Sequence, residues 1–151
     1  MFQKLKNMQT QINQRSWGIR SVSFWSVLIL ALGIIFIGIR FIMHPQIGAQ
    51  GYGIEFDTVR DAAYGRVKGI RDIFSGLVLL PLLFMKMRKA VAWVFTASII
   101  VPCFDFLMVL FTNGSSDVAH LMIHGITAAV MVVTSVLLFM GVETDRPRHL
   151  D

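Results

Sequence analysis

Four long apolar runs, near residues 22–40, 67–86, 89–111 and 118–140, constrain this chain more than any other feature. Each approaches the roughly 20 residues that a helix needs to cross the hydrocarbon core of a bilayer. No water satisfies backbone groups at that depth, so runs of this length must form helices. Composition agrees: 55% of the 151 residues are hydrophobic and 15% are charged, against roughly 45–50% and 25% in soluble domains. The expected fold is all-α, an integral membrane antiparallel four-helix bundle built as a single unit. A cleaved leader usually has an apolar core of about 7–15 residues. The first run exceeds that length, and the small residues near Ala49 make a poor cleavage site, so it is read as a retained helix.

The formal charge of +5 is spread around the ends of the apolar runs rather than gathered on one soluble face. No recognition module accompanies it, so a nucleic-acid partner is not expected. The distribution instead reports topology. With the N-terminus inside, the cytoplasmic side carries Lys4, Lys6, Arg15, Arg20, Lys86, Arg88, Lys89, Arg146 and Arg148; the other side carries Arg40, Arg60, Arg66, Lys68 and Arg71. That excess predicts both termini in the cytoplasm and the protein in the cell (inner) membrane. The chain then divides into a basic cytoplasmic arm (1–21), a membrane domain (22–141) with an outer cap (43–66), and a cytoplasmic tail (142–151). Met8, Ile12 and Trp17 let the arm lie as a helix on the membrane surface, anchored by Trp17 and Trp25. The single cysteine, Cys103, rules out an internal disulfide and reads as a packing residue.

The longest connection is also the least regular. His44-Pro45 stops the first helix, and Gly48, Gly51 and Gly53 suit turns. From Glu55 onward Phe56, Val59, Ala63, Val67 and Ile70 recur at three- and four-residue steps, which predicts an amphipathic helix leading into the second span. Gly65 and Gly69 are candidate bends, Pro81 falls inside the second span, and Pro102 inside the third can kink it.

Charges placed within apolar runs mark the candidate site. Antiparallel helices joined by short turns mirror one another in depth. Reflecting Arg71 through the turn near residue 88 lands on Asp105, and reflecting Asp105 through the turn near residue 114 lands beside His124. At a rise of 1.5 Å per residue all three lie about 20–25 Å from the inner turns. Asp72 adjoins that layer, His120 lies one turn outward on the face of His124, and Arg40 ends the first span on the same side. The inner half offers only hydroxyls such as Ser23, Thr96, Thr134 and Ser135. Polar groups that reach mid-depth and stop suit a pocket better than a pore.

Three chemistries compete with a plain interhelical ion pair between Arg71 and Asp105. The Arg71 guanidinium can hold a carboxylate or phosphate. Asp72, about 100° round the helix, serves Arg40 or the loop, and Asp72, His120 and Arg40 are the further ligand-binding candidates. Asp105 can orient the imidazole of His124, an acid–base pair able to move a proton. His120 and His124, four residues apart on one helix, have zinc spacing with Asp105 as a third ligand. That set lacks HExxH or further ligands, so no metal or other cofactor is expected.

The order and spacing of Gly69-Ile70-Arg71-Asp72, Gly76-Leu77, Pro102, Asp105, His124-Gly125 and Ala128-Ala129 carry a resemblance. They are similar to the small membrane-protein family catalogued as domain of unknown function 4267, over roughly residues 64–140. More loosely, the layout is similar to four-helix membrane proteins of the DoxX-like kind. The resemblance implies a four-helix membrane bundle and brings no settled activity. The leading expectation is therefore an outward-facing pocket for a small amphipathic molecule. Arg71 would hold its polar group while Asp105 and His124 serve proton transfer in an isomerisation or cyclisation. A non-catalytic assembly subunit of a membrane complex and an oligomeric transporter are the alternatives, and a homo-oligomer suits either.

Overall fold

A computed structural model of the chain describes residues 2–3 and 17–144, with side-chain surroundings given through residue 141. The expected surface helix of the arm and the basic tail lie outside the described residues, apart from the segment around Trp17. Those described residues form helices and turns only. In order they are α1 (Val22–Met43), α2 (Pro45–Tyr52), α3 (Val59–Phe84), α4 (Arg88–Ser98), α5 (Ile100–Asn113) and α6 (Val118–Thr144).

Three stretches are long and apolar enough to cross a bilayer: Val22–Met43, Arg88–Asn113 and Val118–Gly141, with mean hydropathies of 2.6, 2.2 and 2.2. This is the signature of an integral membrane protein. The second expected run is not among them. It belongs to the 26-residue α3, which carries Lys68, Arg71 and Asp72 near its middle. The third run is divided at Ile99 into α4 and α5. Pro102 explains the break: it has no N–H for the carbonyl of Ser98, and its ring crowds that carbonyl.

The connection after α1 is more ordered than its glycines predict. Pro45 sits in the first turn of α2, where its missing N–H costs nothing. Gly48 and Gly51 are helical, and only Gly53 acts as a stop, at φ 99° with its N–H bonded to the Ala49 carbonyl. A capping box then starts α3: Thr58 Oγ1 accepts from the Asp61 N–H (3.2 Å), and Asp61 Oδ2 accepts from the Thr58 N–H (2.8 Å). The helix begins at Val59 rather than at Glu55 and continues unbroken to Phe84.

Gly69 is not a bend, and neither is Gly65. The buried residues of α3 are Ala62, Gly65, Gly69, Asp72, Gly76, Leu79 and Leu83, a strict alternation of three- and four-residue steps along one seam. Small residues on that seam bring α1 and α3 into backbone contact. A Cβ on Gly38 would lie 2.5 Å from the Gly69 carbonyl oxygen, and one on Gly76 would lie 2.5 Å from that of Ala31. Small residues at such crossings let packing and weak polar contacts replace a hydrophobic drive that lipid does not supply.

The remaining helices close the end away from α2. Val27 and Ala31 of α1, Leu79 and Leu83 of α3, Val91 and Phe95 of α4, and Met131 and Leu138 of α6 share one apolar cluster. Thr96 and Ser135 join α4 to α6 through their hydroxyls. Trp17 plugs this cluster at 1% exposure, donating Nε1–H to Ser23 Oγ (3.1 Å) and meeting the Phe24 ring edge-on. It is therefore a core residue and not an interfacial anchor; Trp25, 48% exposed, stays outside. Arg88 donates to the Leu137 and Leu138 carbonyls, and its guanidinium occupies the space a Gly141 side chain would need.

Candidate functional site

At the end covered by α2 the two helix pairs, α1 with α3 and α5 with α6, stand apart. The gap is a cavity of about 440 Å³. Each helix contributes one stripe at helical spacing: Gly33, Ile37 and Arg40 from α1, Lys68, Asp72, Ser75 and Leu79 from α3. Ser98 of α4 and Val101, Pro102 and Asp105 of α5 form the facing wall, with Ile123, His124, Thr127 and Met131 of α6 beside them. Over the top lies α2, through Gly48, Gly51 and Tyr52. The walls are mainly apolar, and the ionisable groups sit toward the α2 end.

Tyr52 is the hub of that end. Its hydroxyl donates to Asp105 Oδ1 at 2.9 Å, tying α2 to α5. Its backbone carbonyl lies 2.9 Å from His124 Nε2, tying α2 to α6. A carbonyl only accepts, so Nε2 carries a proton and the neutral ring keeps its lone pair on Nδ1. Burial, followed by the nearby Asp105 charge, raises the pKa of the Tyr52 phenol above its usual range. Beneath the same ring, Lys68 Nζ lies 5.2 Å from the Tyr52 centroid and 5.0 Å from that of Phe41. Lys68 also bonds Asp72 Oδ2 at 2.7 Å. A buried carboxylate is thus neutralised from one turn away by a cation that two aromatic faces hold in place.

Next to Tyr52, Gly53 extends the connection. Its carbonyl accepts from Asn113 Nδ2 (2.5 Å), and its Cα packs so closely on His120 that a Cβ would lie 2.7 Å from the imidazole. Asn113 Nδ2 also donates to Asp117 Oδ2 (2.6 Å), and His120 Nδ1 lies 2.7 Å from Asp117 Oδ1. The Asn113 amide first, and His120 second, hold the Asp117 carboxyl below the ordinary carboxylate range.

Of the residues singled out from sequence, Asp105, His124, Asp72 and Arg40 line this cavity. Arg71 does not. It is exposed, about 100° around α3 from the buried Asp72, and Asp105 takes its hydrogen bond from Tyr52 instead. Nor does the expected direct contact between Asp105 and His124 form, because Tyr52 stands between them with one group turned to each. His120 is engaged with Asp117 rather than with the cavity, so the HxxxH pair does not converge. Among the described residues no group of three His, Cys, Asp or Glu side chains is placed to hold a metal ion.

Two participants were missed, Tyr52 and Lys68. The small-residue heptad of α3 was the available signal for the second. It puts position 72 on the seam, position 71 off it and position 68 one turn away on the Asp72 side. Nothing local distinguished Tyr52, whose partners lie 53 and 72 residues away.

Residues 31–138 match the family described as Domain of unknown function (DUF4267). The chain belongs to this family. Its matched region runs from the middle of α1 to near the end of α6 and takes in Tyr52, Lys68, Asp72, Asp105 and His124. Trp17 falls outside it. Neither the curated proteins nor the solved structures contain a match to the chain.

Proposed function

We propose that α3 is a fourth membrane crossing, that both termini are cytoplasmic, and that the outer-end cavity binds a small amphipathic molecule. The observation that carries this reading is the cavity itself: mainly apolar walls with Tyr52, Lys68, Asp72, Asp105 and His124 gathered at one end. Its volume falls within the roughly 300–1,000 Å³ of small-molecule sites. A crossing by α3 follows from its partner. Helix α1 is long and apolar enough to span, and α3 is sutured to it backbone to backbone. The Lys68–Asp72 pair removes much of the penalty of that charge at depth. The exposed Arg71, near the outer end, can extend its head toward the lipid head groups. Residues 43–66, with α2 and its Tyr52, form the cap.

In this reading Asp105 and His124 serve proton transfer through Tyr52 and the ligand, with His124 Nδ1 as the acceptor. Arg40 replaces Arg71 as the cation that steers a polar group, while Lys68 stays paired with Asp72. The competing reading makes this polar cluster a clasp that fixes α2 on the bundle of a non-catalytic subunit, because each of Tyr52's bonds closes within the protein.

Single Tyr52→Phe, Asp105→Asn and His124→Gln variants separate the two. The test is ligand capture: lipid extracts incubated with protein in nanodiscs, and the bound small molecules identified by mass spectrometry. Loss of a captured amphiphile from variants that remain folded supports the pocket. A clasp alone predicts lowered thermal midpoints with no captured molecule in any sample, and that outcome would retire the pocket.

A further inference from the structure

We infer that the cavity is reached sideways from the bilayer, between α1 and α6, and that its occupant is a single-chain amphiphile with an anionic head held by Arg40. This deepens the proposed pocket and rests on it.

The side window is marked by residues that line the cavity and also face outward. Ile29 and Ile37 of α1 are 64% and 43% exposed, and Ile123 of α6 is 52% exposed. Between the two α1 isoleucines sits Gly33, where an added Cβ would meet nothing within 4 Å. The same helix has Ala31 and Gly38 jammed against α3, so Gly33 is not a packing glycine. It is a bare strip of backbone along the window. Everything outside this window at that depth is hydrocarbon, so what comes through it must carry an apolar chain.

The head group follows from charge. Lys68 is matched by Asp72 at 2.7 Å. Asp105, whose charge opposes an anion, is turned to the Tyr52 hydroxyl. Arg40, at the outer end of the α1 stripe, makes no ion pair among the described residues. Its Nη2 lies 4.0 Å from where Gly51 of α2 would carry a Cβ, which places the guanidinium under the cap and above the window. A chain lying along Ile29, Gly33 and Ile37 would therefore end at that guanidinium. Its planar fork suits a carboxylate or a phosphate equally. A cavity of about 440 Å³ takes one chain and not the pair of a phospholipid.

Binding of dodecanoate, dodecyl phosphate and dodecanol to the full chain in nanodiscs tests this, with acetate and inorganic phosphate as heads without a chain. Wild-type protein should take the two anions about tenfold more tightly than the alcohol, as for one charge-assisted hydrogen-bonded contact. Whichever anion binds more tightly names the head. Arg40→Gln should bring the anions to the level of the alcohol. Gly33→Leu should weaken all three chain compounds while keeping the thermal midpoint, since the position has room and leucine favours helix. Equal binding of alcohol and anions, or an Arg40→Gln protein that still prefers anions, overturns the head assignment. Unchanged binding in Gly33→Leu overturns the window. If no chain compound binds wild type, the underlying pocket reading fails as well, a result distinct from either.

Discussion

Lys68 and Asp72 show how one turn of helix decides the fate of a charge. Asp72 lies on the small-residue seam of α3 and is buried whatever its chemistry; Lys68, four residues earlier, is the cation that makes this tolerable. Lys68→Met should therefore destabilise the protein by about 3 kcal/mol, the low end for breaking a buried pair, because the lysine side chain is 27% exposed. Lys68→Met with Asp72→Leu should recover most of that loss. Unfolding in detergent micelles measures both, and a double variant no more stable than the single one would show that the carboxylate has another cation. At the start of α3 the sign of the pH dependence is fixed. Thr58, through its hydroxyl and then its backbone N–H, holds the Asp61 carboxyl below its ordinary value of 3.8. A lowered folded pKa gives stability that is complete above the unfolded value and lost as pH falls through the folded one. Amide protection in the first turn of α3, taken relative to the intrinsic exchange rate at each pH, should fall below about pH 4, and Asp61→Asn should flatten that response.

The elements are held by contrasting devices. Helices α1 and α3 meet at backbone, so adding a methyl group at the seam must push them apart. Gly69→Ala or Gly38→Ala should lower stability by about 1–3 kcal/mol, the usual range for overpacking. Gly33→Ala, on the same helix but beside the cavity, should be neutral or stabilising by up to about 1 kcal/mol. Thermal midpoints of the three variants decide it; equal losses at Gly33 and Gly38 would mean that the seam is misplaced. Helices α4 and α5 owe their division to one imino acid, and the break falls at the Ser98–Pro102 wall of the cavity. The sequence announced that kink and the end of α1 at His44-Pro45. It did not announce that α2 is a helix, because eight residues with two internal glycines carry little intrinsic preference. Docking against α1 and α3, and the bonds of Tyr52, supply what propensity lacks.

Across the whole molecule, a tightly packed half supports an open half under α2. Trp17 belongs to the packed half although it precedes the first apolar helix. Trp17→Ala should cost about 3–5 kcal/mol, as for other fully buried aromatic residues, which a melting curve in detergent reads directly. A surface anchor would lose almost nothing. Sequence alone determined that the chain is helical and membrane-embedded, because twenty-residue apolar runs leave the backbone no other way to satisfy its hydrogen bonds. It also picked out Asp105 and His124, both of which line the cavity, because rise per residue is fixed and short turns make helices mirror each other. Which way each side chain faces was decided only by tertiary packing. Depth is a matter of counting along one helix, but azimuth depends on which neighbour each helix presses against. The seam of α3 turned Asp72 inward and Arg71 outward, and a tyrosine from a distant segment filled the place left between the two predicted partners.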